Sequence, residues 1–218
     1  PDQDCDGLPD VRDPLPSSCQ PSLLAEDFAK DPTNNAARWI TATPANITWT
    51  CGQANLAAET TLTLADPNLL KSSTTGPYLL ETRFTLGQAT DPANWHVAIH
   101  VGRTTGAKFQ CDAWMSSGIG PTIKPAAHLG LDGCSLRSDT YNKPIGPGTG
   151  ASGESYILQF WYDTQAHCRL LFDDKGTVSL QSESNNFVCA VTRPDTFAVA
   201  TQKRAVTLHT VRAFAFPN

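Results

Sequence analysis

From Leu23 to the C-terminus the chain repeats one texture. Short runs of alternating apolar and polar residues are cut by clusters of Gly, Pro, Asn and Asp, at intervals of about ten residues. A period of two sends successive side chains to opposite faces of a strand, so each run can bury only one face. Many such runs, with no convincing helix of three turns among them, can hide their apolar faces only by stacking one sheet on another. The expected fold is therefore all-β, a two-sheet antiparallel sandwich (jelly roll) over residues 23–218, with a short irregular segment, 1–22, in front of it.

Individual runs give the strands. In "YLLETRFTL" (78–86), Leu80, Thr82, Phe84 and Leu86 share one face and Leu79, Glu81, Arg83 and Thr85 the other. "WHVAIHV" (95–101) aligns Trp95, Val97, Ile99 and Val101, and "SYILQFWYD" (155–163) aligns Tyr156, Leu158, Phe160 and Tyr162. "CRLLFDDKGTVSLQS" (168–182) reads as a hairpin turning at "DDKG". "AVTLHTVRAFAF" (205–216) is a last long strand whose apolar parity shifts near His209, which predicts a bulge there. "AEDFA" fits either a first strand or one helical turn, "LGLDGCSL" (129–136) reads as turns, and 137–155 is the longest irregular stretch. No internal repeat is visible.

Charge excludes two classes of partner. The net charge is −5, and −4 of it lies in the first 13 residues, which hold five Asp and one Arg. The nearly neutral remainder lacks the basic face that nucleic acid requires, and no polybasic cluster addresses an anionic membrane. No apolar run approaches the ~18 residues of a membrane-inserted helix. Charged residues make up 17% of a chain rich in Thr and Gly, a composition that fits an exported β protein, extracellular or on a cell surface. The chain begins at Pro1, so a processed product is the expectation.

Seven cysteines, Cys5, Cys19, Cys51, Cys111, Cys134, Cys168 and Cys189, contain no CxxC pair. They read as disulfides of an oxidising compartment. Short loops would be closed by Cys5–Cys19, Cys111–Cys134 and Cys168–Cys189, leaving Cys51 as a buried thiol or one of these pairs as wrong. Spacing alone does not decide the connectivity.

The acidic start has an order of its own. In "DQDCDGLPDVRD", Asp2, Asp4, Asp6, Leu8, Asp10 and Asp13 fall at positions 1, 3, 5, 7, 9 and 12 of a calcium loop, with Gly7 at position 6 where the chain must turn sharply. Calcium takes oxygen ligands, which the five carboxylates and the Leu8 carbonyl would provide; without a cation the carboxylates would repel one another. These residues resemble a thrombospondin type-3 repeat, DxDxDGxxDxxD. The resemblance covers residues 2–19 and implies calcium as the cofactor. Only a single repeat is present, and "DPLP" stands where the family continues with Cys-Pro.

The remainder of the chain resembles a laminin-G-like or concanavalin A-like jelly roll in its succession of "EDFAKDPTNNAARW", "ITWTCGQANL", "YLLETRFTL" and "TVRAFAF". Function does not follow from that fold. A glucanase site needs carboxylates on one strand face. The strand-borne acids Glu81, Asp163, Asp173 and Asp174, with Glu154 at a strand start, form no such trio. His96 and His100 share a face but sit ~13 Å apart along a strand, too far for one ion. There is no Gly-x-Ser-x-Gly elbow, and "GPGTGASGES" lacks the Lys-Ser/Thr of a phosphate loop and reads as mobile. "NIT" (46–48) is a glycosylation sequon.

Aromatic side chains leave one ligand class open. Trp39, Trp49 and Trp95 fit the core, Trp161 lies opposite Phe160, and Trp114 falls at an expected loop edge. Trp114, Tyr141 and Asn142 are the candidate ligand residues, by stacking and hydrogen bonding to a sugar. The expectation is a calcium-binding, non-enzymatic adhesion module whose partner is a glycan or a surface protein. The alternatives are a self-assembling structural subunit of an extracellular assembly and a glycan-active enzyme with an unrecognised site.

Overall fold

The structure is a computed structural model, described here over residues 22–26, 28, 38–50, 52–65, 78–92, 94–102, 109–116, 128–132, 146–162, 166–187 and 196–215. The described residues form fourteen strands: β1 (Ser22–Glu26), β2 (Trp39–Ile40), β3 (Ile47–Thr50), β4 (Gln53–Leu56), β5 (Thr60–Leu64), β6 (Tyr78–Ala89), β7 (His96–Gly102), β8 (Phe109–Ser116), β9 (His128–Asp132), β10 (Ser155–Tyr162), β11 (Ala166–Asp174), β12 (Thr177–Phe187), β13 (Thr196–Gln202) and β14 (Arg204–Ala215).

They make two antiparallel sheets. The larger has eight strands in the order β12-β11-β10-β6-β14-β4-β3, with β1 also paired to β14; the smaller has six, in the order β2-β5-β13-β7-β8-β9. β14 organises the larger sheet. One of its edges carries β6 along its length. Its other edge pairs β4 through Val206–Leu208 and β1 through Val211–Phe214. The two-layer jelly roll expected from the alternation is the fold observed.

The core lies between the sheets and follows the period of two. Leu80, Phe84, Leu86, Tyr156, Leu158 and Phe160 enter it from the larger sheet, and Leu62, Trp95, Val97, Ile99, Met115 and Val199 from the smaller. Phe84 and Tyr156 stack there at 6.3 Å. Trp39 is also core, whereas Trp49 is only partly buried and packs against it. Phe28 is fully buried at a positive φ of 54°, with its ring 6.5 Å from Trp39 and 6.0 Å from Trp49. The first strand therefore ends at Glu26, before "FA".

Two local expectations hold in detail. The β11–β12 hairpin turns at Lys175 and Gly176, whose φ values of 52° and 94° are those of a type I′ turn. The β14–β6 register slips between Leu208 and Thr210, so His209 sits on a bulge.

Two expectations fail. Residues 128–132, read as turns after His128, form β9 at the edge of the smaller sheet, paired to β8. The Gly-rich stretch, described from Gly146 on, is bonded down rather than loose. The Gly146 amide donates to the Gln181 carbonyl, the Gly148 amide to Gln181 Oε1 at 2.8 Å, and the Gly150 amide to the Tyr156 hydroxyl. Arg204, its guanidinium 4.3 Å over the Trp95 ring, donates to the carbonyls of Gly87 and Gly150.

Of the cysteines, Cys168 is fully buried in the core and Cys111 lies in β8 opposite Val101. Cys5, Cys19, Cys51, Cys134 and Cys189 are outside the described residues, as is the acidic segment 1–21.

Candidate functional site

The face of the larger sheet turned away from the core is not plain solvent surface. Register aligns its residues into rows across β14, β6, β10 and β11. The first row is Phe214, Leu79, Trp161 and His167. Leu79, Trp161 and Phe214 form a second apolar cluster. The Trp161 ring stacks on His167 at 5.0 Å and carries the Arg169 guanidinium at 5.3 Å. Trp161 does lie opposite Phe160, and it is buried there.

The second row is Arg212, Glu81, Gln159 and Arg169. Gln159 Nε2 donates to Glu81 Oε2 at 2.9 Å, and Arg212 stands 3.9 Å from the other Glu81 oxygen. Glu81, Gln159 and Arg169 are all buried. A buried carboxylate is tolerated only where donors meet it, and this row provides them.

Toward the β11–β12 turn the surface opens into a cleft of about 550 Å³, lined by Arg83, Gly153, Glu154, Ser155, Phe172–Gly176, His209 and Thr210. Arg83 on β6 forms an ion pair with Asp173 on β11, passing over β10. Asp173 Oδ1 also accepts from the Gly176 amide at 2.8 Å. Beside this pair the Thr85 hydroxyl is 2.7 Å from the Ser155 hydroxyl and 2.8 Å from His209 Nε2. The bulge presents His209 to that hydroxyl, a common use of bulges beside binding sites. Burial pushes the His209 imidazole below its ordinary range and the Arg83 charge adds to this, while Asp173 opposes it. The ring is thus neutral near pH 7.

Glu154 borders the cleft but is committed elsewhere. It accepts from the Tyr156 hydroxyl at 2.5 Å, the Thr149 hydroxyl at 2.8 Å, and the amides of Thr149 and Ala151. Burial acts to raise this carboxyl, but the bonds from Tyr156, Thr149 and Ala151 outweigh it and hold it below the usual range. Burial and the Glu154 bond together push the Tyr156 hydroxyl well up. A glycosidase acid must keep its proton near neutrality, which requires a raised carboxyl. Glu154 is shifted the opposite way, and Asp173 is engaged by Arg83 and Gly176.

Of the ligand residues expected from sequence, Trp114 lies within β8, between Ala98 and Gly130 in register, and not at a loop edge. Tyr141 and Asn142 lie outside the described residues. His96 and His100 share a register face as expected. His100 pairs with Asp112, which pairs in turn with Asp132. Asp112, Asp132, Glu26 and Glu183 add to the strand-borne acids counted from sequence. Burial, with the charges of His100 and Lys203, lowers the His96 imidazole against an opposing hydrogen bond with Gln202. Among the described residues no group of three or more His, Cys, Asp or Glu side chains gathers to hold a metal ion. The calcium ligands proposed from sequence, Asp2, Asp4, Asp6, Leu8, Asp10 and Asp13, lie outside them.

Comparison with known proteins bears on the fold. No protein-family model and no curated protein sequence matches the chain. Solved structures do. The CBM2 module of the evolved Dit of Lactobacillus casei BL23 phage J-1 aligns at a TM-score of 0.60 and 10% identity, over 90% of this chain and 97% of that one. The legume lectin-like domain from Entamoeba histolytica aligns at 0.53 and 6%, over 89% and 98%. The exoplasmic/lumenal domain of VIP36, in a Ca2+/Man3GlcNAc-bound form, aligns at 0.54 and 10%, over 83% of each chain. The chain thus shares the legume-lectin-like, concanavalin A-like sandwich; at such identities the likeness establishes architecture alone.

Proposed function

We propose that the chain is a glycan-binding β-sandwich module of an exported protein, with its ligand seated in the cleft bounded by β6, β10, β14 and the β11–β12 hairpin. The observation that carries this reading is the cleft itself. Its volume of about 550 Å³ suits a small oligosaccharide. Hydroxyl, imidazole and guanidinium groups line it, with Ser155 and His209 both held by the Thr85 hydroxyl and Arg83 held by Asp173. Phe172 borders it with its ring packed on Tyr156 toward the core. Fixed polar groups are what a polyol needs, since its orientation is set by hydrogen bonds. The Man3GlcNAc bound by VIP36 supports looking first at glycans.

Residues 1–22 serve in this reading as a calcium-binding linker, with Asp2, Asp4, Asp6, Asp10, Asp13 and the Leu8 carbonyl as ligands. The module works outside the cell or on its surface, where millimolar calcium and disulfides persist.

A glycan-array screen of the full chain in calcium, followed by calorimetry on the hits, tests this. Thr85→Ala should weaken binding about tenfold by removing the hydroxyl between Ser155 and His209. Loss of binding in Trp114→Ala but not in Thr85→Ala would move the site to the smaller sheet. Silence across the array would overturn the reading.

A further inference from the structure

We infer that the ligand of the cleft is an anionic saccharide, its carboxylate or sulfate bound by Arg83 with Lys175 at the rim; this deepens the glycan reading and rests on it. Glu154 has both oxygens occupied by Thr149, Ala151 and Tyr156. Asp173 has one oxygen on the Gly176 amide and the other on Arg83. The two inner carboxylates have therefore spent their strongest acceptor positions within the protein. Arg83 has not spent its donors. One terminal nitrogen meets Asp173, while its Nε and other terminal nitrogen make no hydrogen bond among the described residues, and the side chain is 41% exposed. Lys175, exposed at the hairpin tip, adds a second cation to the lining.

A neutral sugar hydroxyl both donates and accepts, and so asks a site for both kinds of partner. A carboxylate or sulfate asks for donors only, and a guanidinium offers them in a planar fork. Two cations, Arg83 and Lys175, and three carboxylates, Glu154, Asp173 and Asp174, line the cleft. Glu154 and Asp173 are bonded within the protein, so the donors left for a ligand are those of the two cations. Asp174, exposed beside Lys175, limits affinity without filling the Arg83 fork.

The probe is an array of uronate, sialylated and sulfated glycans, each printed beside its uncharged counterpart, with titration of the best acidic–neutral pair and of inorganic sulfate. The acidic member should bind at least tenfold more tightly than its neutral partner, and the preference should shrink as salt rises. Removing Arg83 alone leaves Asp173 buried and charged, so the informative variant is Arg83→Gln with Asp173→Asn. It should melt near the parent temperature and lose the preference for the acidic member. Asp174→Asn should strengthen acidic binding, and Lys203→Gln, which removes one positive charge outside the cleft, should leave the preference intact.

Equal binding of acidic and neutral members that the double variant abolishes would overturn the anion inference and leave glycan binding standing. Binding of no saccharide at all would remove the glycan reading itself. Inorganic sulfate binding as tightly as the best acidic glycan would show an adventitious ion only and overturn the saccharide part.

Discussion

Arg83 on β6 reaches over the intervening strand β10 to form an ion pair with Asp173 on β11. Three strands are thereby tied on the face away from the core, at the point where the cleft opens. The pair is asymmetric: the Asp173 side chain is 4% exposed and the Arg83 side chain 41%. Losing the arginine strands a buried carboxylate, whereas losing both charges does not. Arg83→Met should cost about 1–2 kcal/mol, toward the low end for a buried pair because water screens the arginine. Adding Asp173→Asn should recover most of that. Urea unfolding of the two singles and the double measures the coupling; additive losses would show that the pair contributes nothing to stability.

At Gly146 and Gly148 the strap from Gly146 to Glu154 lies against β12 and Tyr156 closely enough to exclude a side chain. A Cβ on Gly146 would lie 2.5 Å from the Leu180 carbonyl oxygen and 2.8 Å from the Gln181 Cα, and backbone there cannot swing aside. Gly146→Ala should therefore lift the strap and cost about 1–3 kcal/mol. Hydrogen exchange gives a local reading. The Gly148 amide, bonded to Gln181 Oε1, should lose protection while amides within β6 keep theirs. Unchanged protection at Gly148 would mean that the strap accommodates a methyl group.

Strands with a clean period of two were legible in the sequence, and so was His209, because a bulge shows as a slip in apolar parity. β9 was not, since Gly130, Asp132 and Gly133 carry turn chemistry and an edge strand needs little else than a partner to pair with. The strap read as mobile because glycines advertise freedom locally, while the groups that bind it, Gln181 and Arg204, lie 33 and 54 residues along the chain. The cleft was illegible for the same reason. Arg83, Asp173 and His209 each sat in a recognisable strand, but their convergence depends on the order β11-β10-β6-β14, which no local pattern encodes.

Calcium should stabilise the chain through its first residues. A ligand that binds only the ordered state adds RT ln(1 + [L]/Kd), about 2.7 kcal/mol at a hundredfold excess over Kd. Chelation should lower the melting temperature if the segment packs on the sandwich, and calorimetric calcium binding should be present in either case. Asp4→Ala should abolish both. Heat of binding that survives Asp4→Ala would place the ion elsewhere.

Mild acid should weaken the fold through His209. Its imidazole titrates below the ordinary 6.5 in the folded protein, first because it is buried and then because Arg83 is near. Asp173 opposes the shift, and Glu154 also borders the cleft. As pH falls through 6.5 the unfolded chain takes up the proton before the folded one does. Where the unfolded state binds more protons, stability rises with pH, so it must fall on acidification through this window. Above 6.5 both states are neutral and the effect vanishes. His96 is shifted the same way, burial again leading, so it adds to the slope. Glu154 has a lowered carboxyl, and its contribution is lost only as pH falls below 4.5, which separates it from the histidines. His209→Gln retains a group able to bond Thr85 and should flatten part of the slope near pH 6; adding His96→Gln should flatten most of the rest. The check is urea unfolding across a pH series, with parent and variants compared at each pH. A parent whose stability is level through this range, or variants with the parental slope, would mean that these imidazoles titrate alike in both states.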